Sequence, residues 1–237
     1  MDSSAALNDH GCFLLSNGCI PQGLTFLKQA LTTLRHELQD EPEQVAVCNV
    51  HLPQHKLVGT PIAATDFLPS TISCFHVQQE RFWIYSRPLL VGECPERTSA
   101  SDTFTVSFNV ALGAHLHGTQ YSIAGDMDEA YQSFVVALKM YNLTLQQATC
   151  SAEECGPCLN NRKDLIFAAI FNNLAHVYAA LGQNDYAKAA AEQLMRALFF
   201  LVDSGRLSSL QEMQAHDSLL KNACLLTMKT QVTATAA

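Results

Sequence analysis

The chain has 237 residues, of which 48% are hydrophobic and 15% charged, enough apolar mass for one large domain or two small ones. Its 14 basic and 22 acidic side chains give a net charge of −8, which argues against a nucleic-acid partner. The first residues lack the basic and apolar regions of a secretory signal, and no run reaches the ~18 apolar residues of a membrane span. The reading is therefore a cytoplasmic chain, away from the membrane, with its nine cysteines as reduced thiols.

Residues 5–38 read as a first helix pair. Ala5–Leu15 is a helix that ends at Asn17-Gly18, and Pro21-Gln22-Gly23 opens a second helix, Gly23–Leu38. Leu24, Leu27, Leu31, Leu34 and Leu38 fall on one face of that second helix.

Residues 41–100 interrupt the pattern as an insertion. Pro42, Pro53, Pro61 and Pro69 precede a stretch rich in β-formers. Thr71–Val77 and Arg81–Ser86 flank Gln78-Gln79-Glu80 at the spacing of a short β-hairpin, with Val45–Val50 as a further strand. Gly92–Asp102 reads as a polar linker.

Residues 103–149 read as a second pair. Its first helix is Thr103–His117 with Gly118 as the stop, followed by a loop at Thr119–Asp126 and a helix carrying Ala130, Phe134, Ala137, Met140, Tyr141 and Leu145 on one face. Gly125-Asp126-Met127-Asp128-Glu129 caps that helix. Residues 150–163 read as a loop.

Residues 164–203 form the third pair. Leu165, Ala168, Ala169, Phe171, Leu174, Ala175, Tyr178 and Leu181 recur at helical spacing, and Gly182 supplies the left-handed residue that ends the helix. Asn184-Asp185 are expected to cap the next helix, Tyr186 to about Val202. Ala175, Ala179, Ala187 and Ala191 would let the two helices approach closely. Residues 208–227 read as an amphipathic helix that caps the open end.

Phe171, Leu174, Ala175, Tyr178, Gly182 and Ala187 follow the spacing of the tetratricopeptide repeat, and the chain resembles that family over three pairs, roughly 110 residues. Leu7, His10, Gly11, Leu14, Gly18, Gly23, Leu27 and Ala30 fit the same pattern, with His10 in the place of a leucine. In the middle pair Phe108-Asn109 is set beside Phe171-Asn172 and Leu7-Asn8. As a whole the chain resembles tetratricopeptide-like proteins of photosynthetic protists, a group that brings no activity with it. The resemblance implies an all-α array of antiparallel helix pairs, an α-solenoid, with a small β-hairpin-containing insertion. It implies a protein-interaction scaffold or adaptor and no enzyme.

Other chemistries are weaker in the residues. Cys155-Gly156-Pro157-Cys158 has the spacing of a thiol-redox motif, but Glu153-Glu154 beside it would raise the thiol pKa. Cys150, Cys155 and Cys158 offer zinc three ligands of the four it takes, and Cys48, His51 and His55 with Cys74 or His76 are a second set. Thiol-redox or zinc binding is the alternative function, and a structural subunit that self-associates through apolar helices is a third. No catalytic motif, cofactor or metal is expected.

In such arrays the first helix of each pair lines the groove that holds the ligand. Residues 5–17, 103–117 and 164–181 contain no Lys or Arg, so a groove built from them has no cation to pair with a ligand carboxylate. They offer Asn8, Asn109, His115, Asn172, Asn173 and His176 as partner-binding residues. An asparagine amide both donates to and accepts from a peptide backbone, so the expected partner is an uncharged or weakly basic peptide or a helix. The plainer alternative is that these side chains solvate the groove or cap helix ends.

Overall fold

The computed structural model describes residues 3–40, 59–63, 81–86, 88–89, 99–150, 160–205, 213 and 216–225. Its helices are α1 (Ser4–Ser16), α2 (Ile20–Asp40), α3 (Ser99–Ala124), α4 (Met127–Cys150), α5 (Asn160–Ala180) and α6 (Asn184–Asp203), followed by α7 over residues 216–225. Strands β1 (Gly59–Ala63) and β2 (Arg81–Tyr85) form an antiparallel ladder. The described residues are thus predominantly helical, and α1 packs on α2, α3 on α4 and α5 on α6. Contacts of α2 with α3 and of α4 with α5 join one pair to the next.

Each pair turns in the same way. Gly18, Gly125 and Gly182 take φ of 78°, 84° and 72°, a conformation that side chains disfavour. The N–H of the residue after each glycine reaches back to the carbonyl of Leu14, Tyr121 or Tyr178 at 2.9, 3.0 and 2.8 Å, the 6→1 bond of a Schellman motif. Five residues beyond each glycine stands a buried small residue, Gly23, Ala130 or Ala187, and seven before it another, Gly11, Gly118 or Ala175.

This common frame corrects the sequence reading of the middle pair. α3 does not stop at Gly118 but runs on to Ala124, so Thr119–Ala124 belongs to the helix and the long loop disappears. Gly118 is a packing residue: a Cβ there would lie 2.9 Å from the Phe134 ring and 3.2 Å from the Ala130 carbonyl oxygen. Ala114, His117, Gly118 and Tyr121 then match Phe171, Leu174, Ala175 and Tyr178, and Asn109 moves six positions away from the equivalent of Asn172.

Other boundaries shift as well. α3 begins at Ser99, inside the expected linker, and α5 begins at Asn160, which brings Arg162 and Lys163 into its first turn. The N-cap of α6 is Gln183, without a side-chain bond, and not Asn184-Asp185. Asp126 does cap α4, its carboxylate accepting from the Glu129 N–H at 3.3 Å. β2 lies where a strand was expected, but its described partner is β1, with Gly59 opposite Tyr85 and Ala63 opposite Arg81. The expected partner Thr71–Val77, the strand Val45–Val50, the set around Cys48, and Cys155 and Cys158 lie outside the described residues, whereas Cys150, expected in a loop, is the last residue of α4.

α2 and α6 are amphipathic and keep one face in water. α3 is enclosed, with every residue from Phe104 to His115 buried. α1 and α2 cross most closely at their glycines: a Cβ on Gly23 would lie 2.9 Å from the Gly11 carbonyl oxygen and 3.0 Å from the Leu15 side chain. Gly23→Ala raises helix propensity by up to about 1 kcal/mol. It must also push backbone from backbone, so the expected net effect is a destabilisation of about 1–3 kcal/mol. Urea unfolding followed by circular dichroism measures it, as a lower midpoint at unchanged slope.

Candidate functional site

The inner faces of α1, α3 and α5 meet a segment of the chain itself. Past β2, the described residues Ser86, Pro88 and Leu89 lie outside any helix, and Ile84, Tyr85, Pro88 and Leu89 are buried. We refer to Tyr85, Ser86, Pro88 and Leu89 as the strap. A main chain outside any helix brings N–H and C=O groups into the interior that need partners there.

Asparagines supply them. Asn109 of α3 accepts from the Leu89 N–H at 2.7 Å and donates to the Leu89 carbonyl at 2.6 Å. Asn173 of α5 treats Tyr85 in the same way, accepting from its N–H at 3.1 Å and donating to its carbonyl at 3.0 Å. A side-chain amide thus copies one rung of a β-ladder at each of two positions. Asn8 of α1 donates to the Leu89 carbonyl at 3.2 Å and accepts from Asn109 at 2.9 Å. The Cys12 thiol donates to the same carbonyl at 3.4 Å, and burial, with the nearby Asp9 charge, raises its pKa so that it stays protonated.

A second line of polar groups runs behind the Tyr85 anchor. Asn172 donates to Asn173 at 3.1 Å and accepts from Asn222 of α7 at 2.7 Å. Asn173 also donates to the Tyr141 hydroxyl at 3.0 Å, which lies 3.4 Å from His115 Nδ1. His115 Nε2 is 2.7 Å from His176 Nδ1, and the two rings stack at 4.8 Å. With the Tyr141 hydrogen directed at His115 Nδ1, the neutral tautomer that carries its proton on Nε2 donates to His176 Nδ1. Burial pushes His115 down to about 3, and burial with the neighbouring His115 holds His176 well below its usual range. Burial also raises the Tyr141 pKa.

All six residues singled out in the sequence, Asn8, Asn109, His115, Asn172, Asn173 and His176, are buried at 2% exposure or less. They neither solvate an open groove nor cap helix ends. Asn8, Asn109 and Asn173 hold the strap directly, Asn172 acts through Asn173, and the histidines stand behind Tyr141. Sequence reasoning missed the strap, Cys12, Tyr141 and Asn222. Among the described residues no group of three or more His, Cys, Asp or Glu is arranged to hold a metal ion. Among them no helix is long and apolar enough to cross a membrane.

Two outcomes follow from this geometry. Asn109→Leu removes the acceptor of the Leu89 N–H, one of the three donors to the Leu89 carbonyl and a donor to Asn8, so a loss of about 2–4 kcal/mol is expected in denaturant unfolding. The buried histidines set an acid limit. Unfolded, each takes up a proton near pH 6.5; folded, His115 does so only at about 3. Stability from the neutral pair is complete above pH 6.5 and falls as the pH drops; the His115 share falls by about 1.4 kcal/mol per pH unit toward 3, and His176 acts in the same direction. Unfolding midpoints measured from pH 7 to 4 check this, and His115→Phe should flatten the slope.

Comparison of the chain with family models, with curated proteins and with solved structures returned no match, so no relative supplies a role for these side chains.

Proposed function

We propose that the chain is a protein-interaction scaffold or adaptor, built as a tetratricopeptide-like α-solenoid, whose groove grips an uncharged, non-helical backbone without a carboxylate clamp. The observation that carries this is the pair of two-pronged amide contacts, Asn109 on Leu89 and Asn173 on Tyr85. Both address only main-chain atoms, which any peptide has. An interior residue of a helix has its N–H and C=O already bonded along the helix, so such amides select against a helical ligand. The shared spacing of small residues and left-handed glycines supports the tetratricopeptide-like reading in each pair. α1 and α3 carry no Lys or Arg, and α5 has only Arg162 and Lys163 at its start, so terminal carboxylates find few cations. The Cys12 thiol of the site is buried and protonated, which favours binding over thiol chemistry there.

Calorimetric titration of the full chain tests the proposal. Terminally blocked, uncharged ten-residue peptides are expected to bind, and Asn173→Ala, checked for folding by circular dichroism, to weaken them roughly tenfold. An acidic peptide with a free C-terminus is expected not to bind. Binding that depends on the free carboxylate would overturn the proposal.

A further inference from the structure

The strap fills the face that the scaffold reading assigns to a ligand, and three features set it apart from an ordinary core element. Its anchoring bonds at Tyr85 and Leu89 run from groove side chains to strap main chain. Its two large anchoring side chains, Tyr85 and Leu89, bury at 1% and 0% exposure, so a competing ligand must replace two apolar side chains. Pro88 between the anchors has no N–H to satisfy.

Resting on the scaffold reading, we infer that the strap is an exchangeable internal ligand. The groove takes in its place a non-helical peptide with an aromatic residue and a leucine four positions later, and the chain with its strap in place is self-inhibited. The aromatic position is specified by the walls around Tyr85: the Phe108 ring meets it edge-on at 5.8 Å, and Phe108 in turn meets Tyr141 at 6.2 Å. The leucine position sits against Asn8, Cys12 and Asn109, with the Asp9 carboxylate bonded to Asn8 behind it. Both anchors are buried in the hydrophobic core, so the selected ligand is apolar at both. A partner must outcompete a segment held at high effective concentration, and its apparent affinity is reduced by the fraction of chains with an open strap.

Native-state hydrogen exchange on the wild-type chain reads the device directly. The amides of Tyr85 and Leu89 are expected to exchange at least tenfold faster than that of Val110 in α3, through local opening. Exchange at the Val110 rate would mean that the strap leaves only on global unfolding, and would overturn the inference. A blocked, fluorescent peptide of residues 81–90 is expected to bind Leu89→Ala at least tenfold more tightly than wild type, and to accelerate exchange at Tyr85 in wild type. Equal affinity for both chains would remove the strap's role and leave the scaffold reading intact. Binding of blocked, uncharged peptides but not of this one, which carries Arg81 and Arg87, would refute the strap-like ligand alone. Reciprocal dimers in sizing chromatography, formed as straps open, would make a second copy the occupant and also refute it.

Discussion

A main chain that crosses a protein interior outside any helix is costly unless each of its polar groups is paired. The placement of the strap depends on meeting that demand. At Leu89 and Tyr85 it is met by amide side chains of α3 and α5, each offering an acceptor and a donor in one plane. Neutral amides suit the task because they bond both halves of a peptide group without bringing a charge into the core. The strap then gives the inner helices something apolar to pack on, and Phe104–His115 of α3 are buried on all sides while α2 and α6 keep a wet face.

The same bonds change how the helix pairs depend on one another. A stack of helical hairpins is held by nearest-neighbour contacts, so its units can open separately. Here the carbonyl of Leu89 is shared by Asn8 of the first pair and Asn109 of the second, and Tyr85 is held by Asn173 of the third. Asn222 extends the network to α7 through Asn172. Two anchors of one segment, Tyr85 and Leu89, therefore tie all three pairs together, and the polar line from Asn222 to His176 cannot lose a middle member without leaving buried groups unpaired.

The helix pairs were legible because their signals are local. Gly18 and Gly182 stand where periodic apolar residues stop, and both take the left-handed conformation. Gly118 misled because a glycine inside a helix and a glycine at its end look alike one at a time. What separates them is the following residue: Asp126 after Gly125 caps a new helix, whereas Thr119 after Gly118 bonds back to the His115 carbonyl at 3.0 Å within the same helix. The asparagines were legible as backbone-binding groups from their chemistry. Their occupant was not, because Asn173 and Tyr85 are 88 positions apart and no periodicity links them. The continuous apolar character of α3, which blurred its register, is itself the mark of a helix enclosed on every side.

The low charge content has an internal account as well. A chain with 15% charged residues suggests apolar surface that a separate partner must cover. Part of that surface is the inner face of α1, α3 and α5, and the chain covers it with its own Ile84, Tyr85, Pro88 and Leu89. The groups that replace charge there are neutral but polar: four asparagines, a thiol, a phenol and two imidazoles held unprotonated by burial. Such groups cost less to bury than ions, yet each still demands a partner of fixed geometry. The interior therefore trades the strength of ion pairs for orientation, and orientation is what a site needs if it is to hold a backbone in one register.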